Sequence, residues 1–224
     1  VLGAFLAGFV LLPGPGVQWT IYVAAMANLL AAGIAGFAAR DLPRARWIGP
    51  GTMAVLTLAF LAARPPWDPM LMTSGMYHYV TDFEDHSREG ILDFAVNLYE
   101  PLFYEEGLSS VVTVAQARDS GNIWLANNGK VEASTSVDMP TQVMVAHLPF
   151  LLDEAPDDVL VIGLASGITA GSVTLQPEPS RIDIIELEPA VVAASHEFDD
   201  YNHRPLEDPR VRLWANDGRN HVSL

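Results

Sequence analysis

Long uncharged apolar runs occupy the first third of the chain, and shorter runs with a different period occupy the rest. Residues 1–16, VLGAFLAGFVLLPGPG, read as the tail of an apolar helix ended by Pro13, Gly14, Pro15 and Gly16. Val17 to Ala39 then runs for 23 residues without a charge, which meets the roughly 20 residues that a bilayer span needs. Trp47 to Ala63 is 17 residues long and also uncharged, with Gly49-Pro50-Gly51 weakening its first turn. Trp19, Trp47 and Trp67 fall near span ends, where indole rings favour the interface. Two such segments joined by the short basic loop RDLPRAR fit transmembrane helices better than soluble core helices or a signal peptide. Gly33 and Gly36 suit close helix packing in lipid, and with no charge at mid-span there is no ion relay to point to.

RPPWDPMLMTSG reads as a linker over 65–73, and 74–137 as a small β-rich subdomain. Within it GMYHYV is expected as a strand and REGILDFAVNLYEPLFYEEG as a helix up to Pro101. SSVVTVAQ and NIWLA alternate as strands do, and NNGK (Asn127–Lys130) is a hairpin turn, since Asn-Gly tolerates the positive φ of type I′. DMPTQVMVAHLPFLL has helical spacing, with Asp138 as N-cap and Pro140 in the first turn. From there the period becomes that of a parallel sheet. DVLVIG, RIDIIELE and RVRLWANDG read as strands, with helices ITAGSVTLQ and PAVVAASHEF between them. The expected fold is therefore transmembrane α-helices over 1–64, then an α/β chain whose residues 138–224 form the first half of a Rossmann-like parallel sheet. A chain opening inside an apolar run and closing just after a third strand is expected to be a fragment.

Charge sharpens the division. Residues 1–70 hold four basic and two acidic residues, whereas 71–224 hold eight basic and 25 acidic. An acidic C-terminal part repels nucleic acid and attracts small cations. The absence of cysteine removes disulfides, zinc-thiolate sites and thiol catalysis. The basic loop belongs in the cytoplasm by the positive-inside tendency. One further crossing then carries the acidic part outside, and its side stays open.

The candidate chemistry lies in DDVLVIGLASGITA, residues 157–170. Gly163, Gly167 and Gly171 follow the first parallel strand, where glycines let main-chain N–H groups approach a ligand. The spacing does not meet the dinucleotide pattern G-x-G-x-x-G, which argues against a NAD-binding dehydrogenase. Glu186 ends the second strand 23 residues after Gly163, the place from which an acid grips both hydroxyls of a ribose. Asp217, in NDG after the third strand, would sit beside the same crevice and accept from an exocyclic amine. Other constellations are weaker. His196 and His203 flank EFDDYN without metal-ligand spacing, His147 reads as a core residue rather than a cleft-lining one, and Tyr99, Phe103 and Tyr104 read as an aromatic core rather than a pocket wall.

These stretches, namely NNGK, TQVMVAHLPFLL, VLVIGLASG, IIELEPAVV and DPRVRLWANDGR, resemble the spermidine/spermine synthase (aminopropyltransferase) family, in particular its bacterial membrane-fused members. LLPGPG and WDPMLMTSGMYHY are similar to that fused type as well. The resemblance implies a fold like class I methyltransferases and a co-substrate that is decarboxylated S-adenosylmethionine or S-adenosylmethionine, with no metal. It implies a ribose-binding Glu186, an adenine-side Asp217 and Gly218, a glycine loop at Gly163 and Gly167, and a contact from Gln142. Ser166 stands where the family loop carries the aspartate that holds the cationic aminopropyl group. Thr141-Gln142-Val143 stands where the family has Tyr-x-Glu, and the family's catalytic aspartate is expected beyond Leu224. The resemblance implies a small amine as acceptor, a bilayer as partner, multi-pass placement in a bacterial inner membrane, and it allows a homodimer. The competing readings are a membrane sensor or transport partner that only binds a nucleoside or polyamine, and an S-adenosylmethionine-dependent methyltransferase.

Overall fold

The computed structural model describes residues 2–38, 45–63, 67–79, 81, 85–107, 109–152 and 156–223. Most of the basic loop, residues 39–44, lies outside the described residues. The chain divides into two compact units, Val1–Trp67 and Asp68–Leu224.

In the first unit α1 (Leu2–Leu6) runs on into a π-helical turn, Ala7–Leu11. Then come α2 (Gly16–Ala38) and α3 (Ala45–Ala63). Helix α3 starts ahead of the Gly-Pro-Gly expected to weaken it. Tyr22, early in α2, meets Phe60, late in α3, edge to face at 5.5 Å, so the two helices pair antiparallel. Among the described residues one stretch, Gly16–Gly36, is long and apolar enough to cross a membrane, with mean hydropathy 1.5. The apolar stretch within α3, Gly51–Phe60, is shorter.

The second unit opens with three short helices, α4 (Pro69–Met72), α5 (Met76–Tyr79) and α6 (Arg88–Leu92), the last continued by a π-helical turn over Asp93–Asn97. From residue 67 on, the stretch expected as a linker is folded: the Asp68 carboxylate caps α4, and Met70 is buried. Two further expectations are corrected. GMYHYV is helical over Met76–Tyr79 rather than extended, with Val80 outside the described residues. The backbone turns at Gly75 (φ +65°), whose carbonyl accepts from both His78 N and Tyr79 N. The helix through REGILDF stops at Leu98, and Tyr99–Glu106 is strand β1. Pro101 is tolerated because β1 is an edge strand with an irregular register there.

Strands β1, β2 (Val111–Ala117), β3 (Ile123–Asn127) and β4 (Lys130–Ser134) form an antiparallel meander. Its β3–β4 turn has Asn128 at φ +50° and Gly129 at φ +81°, the paired positive values of type I′. Period-2 alternation splits this sheet's two faces. Val112, Val114, Ile123 and Leu125 join the main core, whereas Ala115, Trp124 and Ala126 cluster with Met70 on the far face.

Helix α7 (Met139–Leu152) leads into β5 (Asp158–Ile162), α8 (Ile168–Thr174), β6 (Arg181–Glu186), α9 (Pro189–Ala194), β7 (Val211–Ala215) and α10 (Gly218–Val222). The carbonyl of Asp138 accepts the first α7 bond from Gln142 N, while its carboxylate takes Ser134 Oγ at 2.6 Å. Strands β5, β6 and β7 are parallel in that order, the Rossmann-type arrangement expected from the strand and helix spacing. The core between this sheet, α8, α9 and the meander holds Ile168, Val173, Ile182, Ile184, Val191 and Phe198.

Candidate functional site

The site residues gather at the carboxyl ends of the three parallel strands, where ligands of open α/β sheets bind. Strand β5 gives way to a bend from Gly163 to Gly167. Gly163 (φ +88°) keeps the ladder through its N–H to Ile185 O at 2.8 Å, and Gly167 N closes a turn on Leu164 O at 2.8 Å. Ala165 also takes a left-handed φ, +48°, which a side chain disfavours. Gly171 serves packing instead: a Cβ there would run into the backbone of Asn202.

Glu186 ends β6 and is half-buried. Its two carboxylate oxygens are held by main-chain donors, Oε2 by Leu164 N of the bend and Oε1 by Glu188 N, each at 2.9 Å. A carboxylate has about four acceptor directions, so two such bonds fix the group without exhausting it. At the end of β7 the Asp217 Oδ1 accepts from Asn220 N at 3.0 Å and caps α10. Gly218 lies against Ile162, where a Cβ would come within 2.7 Å of that side chain. Thus the structure brings Glu186 to the bend, and Asp217-Gly218 to the end of β5.

Gln142 and Ser166 meet each other. The Ser166 hydroxyl, buried, donates to Gln142 Oε1 at 2.6 Å and accepts from Ile168 N at 3.3 Å. Gln142 Nε2 donates to Ser134 O at 2.9 Å, and its carbonyl accepts from Thr169 Oγ1. These two expected ligand contacts therefore tie β4, α7 and the bend together. A cleft of about 500 Å³ reaches the bend from the α7 side and is lined by Gln142, Gly163, Leu164, Ala165 and Thr169. Glu186 and Asp217 are not among its lining residues, so the structure does not place all the expected site residues around one cavity.

Two residues that carry the site were not singled out from sequence. Asn202, buried, donates through Nδ2 to Ser166 O and Ser195 O and so braces the bend from beneath. Glu188, two residues beyond Glu186, is 4% exposed. Its Oε2 accepts from Ser109 N, Ser109 Oγ and Ser110 N, which clamps the β1–β2 turn onto the start of α9. A signal existed for the first: Gly171 inside a helix marks close backbone approach. His147 Nδ1 lies 2.7 Å from Gln176 Nε2, and His196 Nδ1 lies 3.4 Å from Asp199 Oδ1. Among the described residues no group of three His, Asp or Glu side chains is placed to hold a metal.

A parallel three-stranded sheet with a glycine bend after its first strand and an acid ending its second defines a Rossmann-type domain. Residues 139–223 match the sequence model of the spermine/spermidine synthase domain. A polyamine aminopropyltransferase of Streptococcus pneumoniae is 35% identical over 91 residues, 41% of this chain and 32% of that protein. Putrescine N-methyltransferase 2 of Nicotiana attenuata is 29% identical over 125 residues, 56% of this chain and 33% of that protein. The spermidine synthase of Thermotoga maritima shares the fold, with a TM-score of 0.51 at 20% identity over 55% of this chain and 43% of that one. A spermidine synthase solved with the transition-state analogue AdoDATO gives the same TM-score and identity. The likeness to the spermine/spermidine synthase family is thus carried by residues 139–223. The chain spans about a third of the length of the first curated relatives it matches.

Proposed function

We propose that the second unit is the nucleoside-binding part of an aminopropyltransferase-like enzyme that takes decarboxylated S-adenosylmethionine or S-adenosylmethionine. The observation that carries this is the Glu186 carboxylate, anchored between the bend amide of Leu164 and the amide of Glu188. The free acceptor directions of that group suit a ribose diol, and two main-chain anchors remove the need to order it on binding. Asp217 and Gly218, next to the end of β5, then take the base side, and Gly163 and Gly167 shape the bend that faces the sulfur.

In this reading a neutral amine attacks the carbon next to the sulfonium, and the nucleoside thioether leaves. The chain's part is to hold donor and acceptor in line. The surplus of 25 acidic over eight basic residues in 71–224 favours a cationic amine near the site. The acceptor and the transferred group are proposals too. The putrescine N-methyltransferase relative favours, as a second reading, methyl transfer from S-adenosylmethionine to an amine.

The first unit is read as a bilayer anchor in a bacterial inner membrane. Leu30, Ile34, Val55 and Leu58 of α2 and α3 are all exposed, which suits acyl chains better than water.

Calorimetric titration of the full chain in a non-ionic detergent tests the site. S-adenosylmethionine, its decarboxylated form and methylthioadenosine are compared on the wild type and on Glu186→Ala. Hydrogen bonds to a charged group contribute about 1.5–3 kcal/mol each, so the variant is expected to bind roughly tenfold to 100-fold more weakly. Equal affinity in both proteins overturns the assignment. Preference for S-adenosylmethionine over the decarboxylated form moves the reading to methyl transfer.

A further inference from the structure

The far face of the meander carries a cavity of about 310 Å³, at the small end of the ~300–1,000 Å³ range of ligand sites. It lies on the opposite side of that sheet from the main core and shares no residue with the glycine bend. Four aromatic rings line it: Tyr79 of α5, Phe94, Tyr99 of β1 and Trp124 of β3. Asp138 is the one charged side chain among its described lining residues.

The rings are held in place. Tyr99 and Trp124 stand edge to face at 5.3 Å, an arrangement that fixes both planes. The Tyr79 hydroxyl accepts from Val131 N at 3.2 Å, which pins that ring to β4. Segment 73–79 is seated on the hairpin turn by contact between Gly75 and Gly129, and neither position leaves room for a Cβ. Asp138 is fixed by Ser134 Oγ on Oδ2. Burial, then the charge of Asp119, push the Tyr99 hydroxyl above its ordinary pKa, so that ring stays neutral.

We propose that this cavity is a binding site for a small organic monocation, an alkylated or quaternary ammonium ion. Aromatic faces attract a cation through the ring quadrupole, most strongly where water is excluded. A single carboxylate matches a single positive charge. With no Lys, Arg or His in the described lining, a phosphate or carboxylate ligand finds no cationic partner and meets the Asp138 carboxylate. Met70 and Ala95 supply the apolar floor that an alkyl body needs. This site stands apart from the proposed nucleoside site, so either holds if the other fails.

The probe pair is choline and 3,3-dimethyl-1-butanol, which has nearly the same shape without the charge. Both are titrated calorimetrically into the full chain in a non-ionic detergent, since a choline headgroup would compete. Choline is expected to bind at least tenfold more tightly than the alcohol. Asp138→Asn, which keeps the bond to Ser134 and the start of α7, is expected to lose most of that preference. Trp124→Phe should weaken choline severalfold, and methylthioadenosine should not displace it. Equal binding of the two probes, no saturable heat with choline, or unchanged preference in Asp138→Asn overturns the proposal.

Discussion

Replacing Glu188 with alanine should loosen the joint between the meander and the parallel sheet. The side chain is 4% exposed, and one of its oxygens accepts three bonds, from Ser109 N and Ser109 Oγ at 2.8 Å and from Ser110 N at 3.3 Å. Its other oxygen reaches Ala190 N at 3.5 Å at the start of α9. A net bond to a charged group is worth about 1.5–3 kcal/mol, and because Ser109 is exposed, water takes over part of what the carboxylate gave its donors. These bonds share one carboxylate and do not sum, so the expected loss is about 2–3 kcal/mol. Against a total stability of roughly 5–15 kcal/mol that is a large share. Denaturant titration of the full chain measures it, and amide exchange at Ser109 and Ser110 localises it. Glu188→Gln, which keeps the shape and one acceptor, should lose distinctly less. A loss below about 1 kcal/mol in Glu188→Ala, with exchange at Ser109 unchanged, refutes the reasoning.

Further outcomes follow from the same contacts. A Cβ on Gly107 would press into the Glu188 carboxylate, so Gly107→Ala alone should cost about 1–3 kcal/mol and much less in a Glu188→Ala background, as a double-mutant cycle would read. Gly171→Ala meets the backbone of Asn202 and should cost more than Gly163→Ala, where the space is open and only the φ of +88° is strained, at about 1–2 kcal/mol; thermal midpoints compare the two. Asp208 is held below the usual carboxylate range, chiefly by the side-chain hydrogen bond from Arg210, which also reaches the carbonyls of Thr174, Gln176 and Pro179. A lowered folded pKa contributes stability above the ordinary value of about 4 that is lost as pH falls through the folded value. Acid titration of stability should therefore be shallower below about pH 4 in Asp208→Asn, and an unchanged acid limb contradicts the pairing.

The parallel half of the fold was legible because each of its strands is an apolar run closed by glycine, proline or an acid. The hairpin turn was legible because Asn-Gly admits positive φ at both central positions. The aromatic, β-branched run at 76–80 misled, because tertiary contact decides it. Gly75 packs on Gly129, and the chain turns there into a helix that no local propensity favours. Helical spacing through REGILDF ran on past the point where the chain becomes an edge strand, since short apolar patterns fit either period. Within the site, the spacing of Gly163 and Glu186 was visible, but spacing does not say which atoms meet. It could not show that Ser166 and Gln142 bond each other, or that Glu188, two residues from Glu186, is buried as a clamp.

The most direct test removes the ligand's hydroxyls and the protein's carboxylate in turn. Methylthioadenosine and its 2′,3′-dideoxy analogue are titrated into the wild type and Glu186→Ala, and the four affinities form a cycle. The account predicts that the dideoxy analogue binds the wild type at least tenfold more weakly, and that the two ligands bind Glu186→Ala alike. An equal loss on removing the hydroxyls in both proteins would show that Glu186 does not hold the ribose.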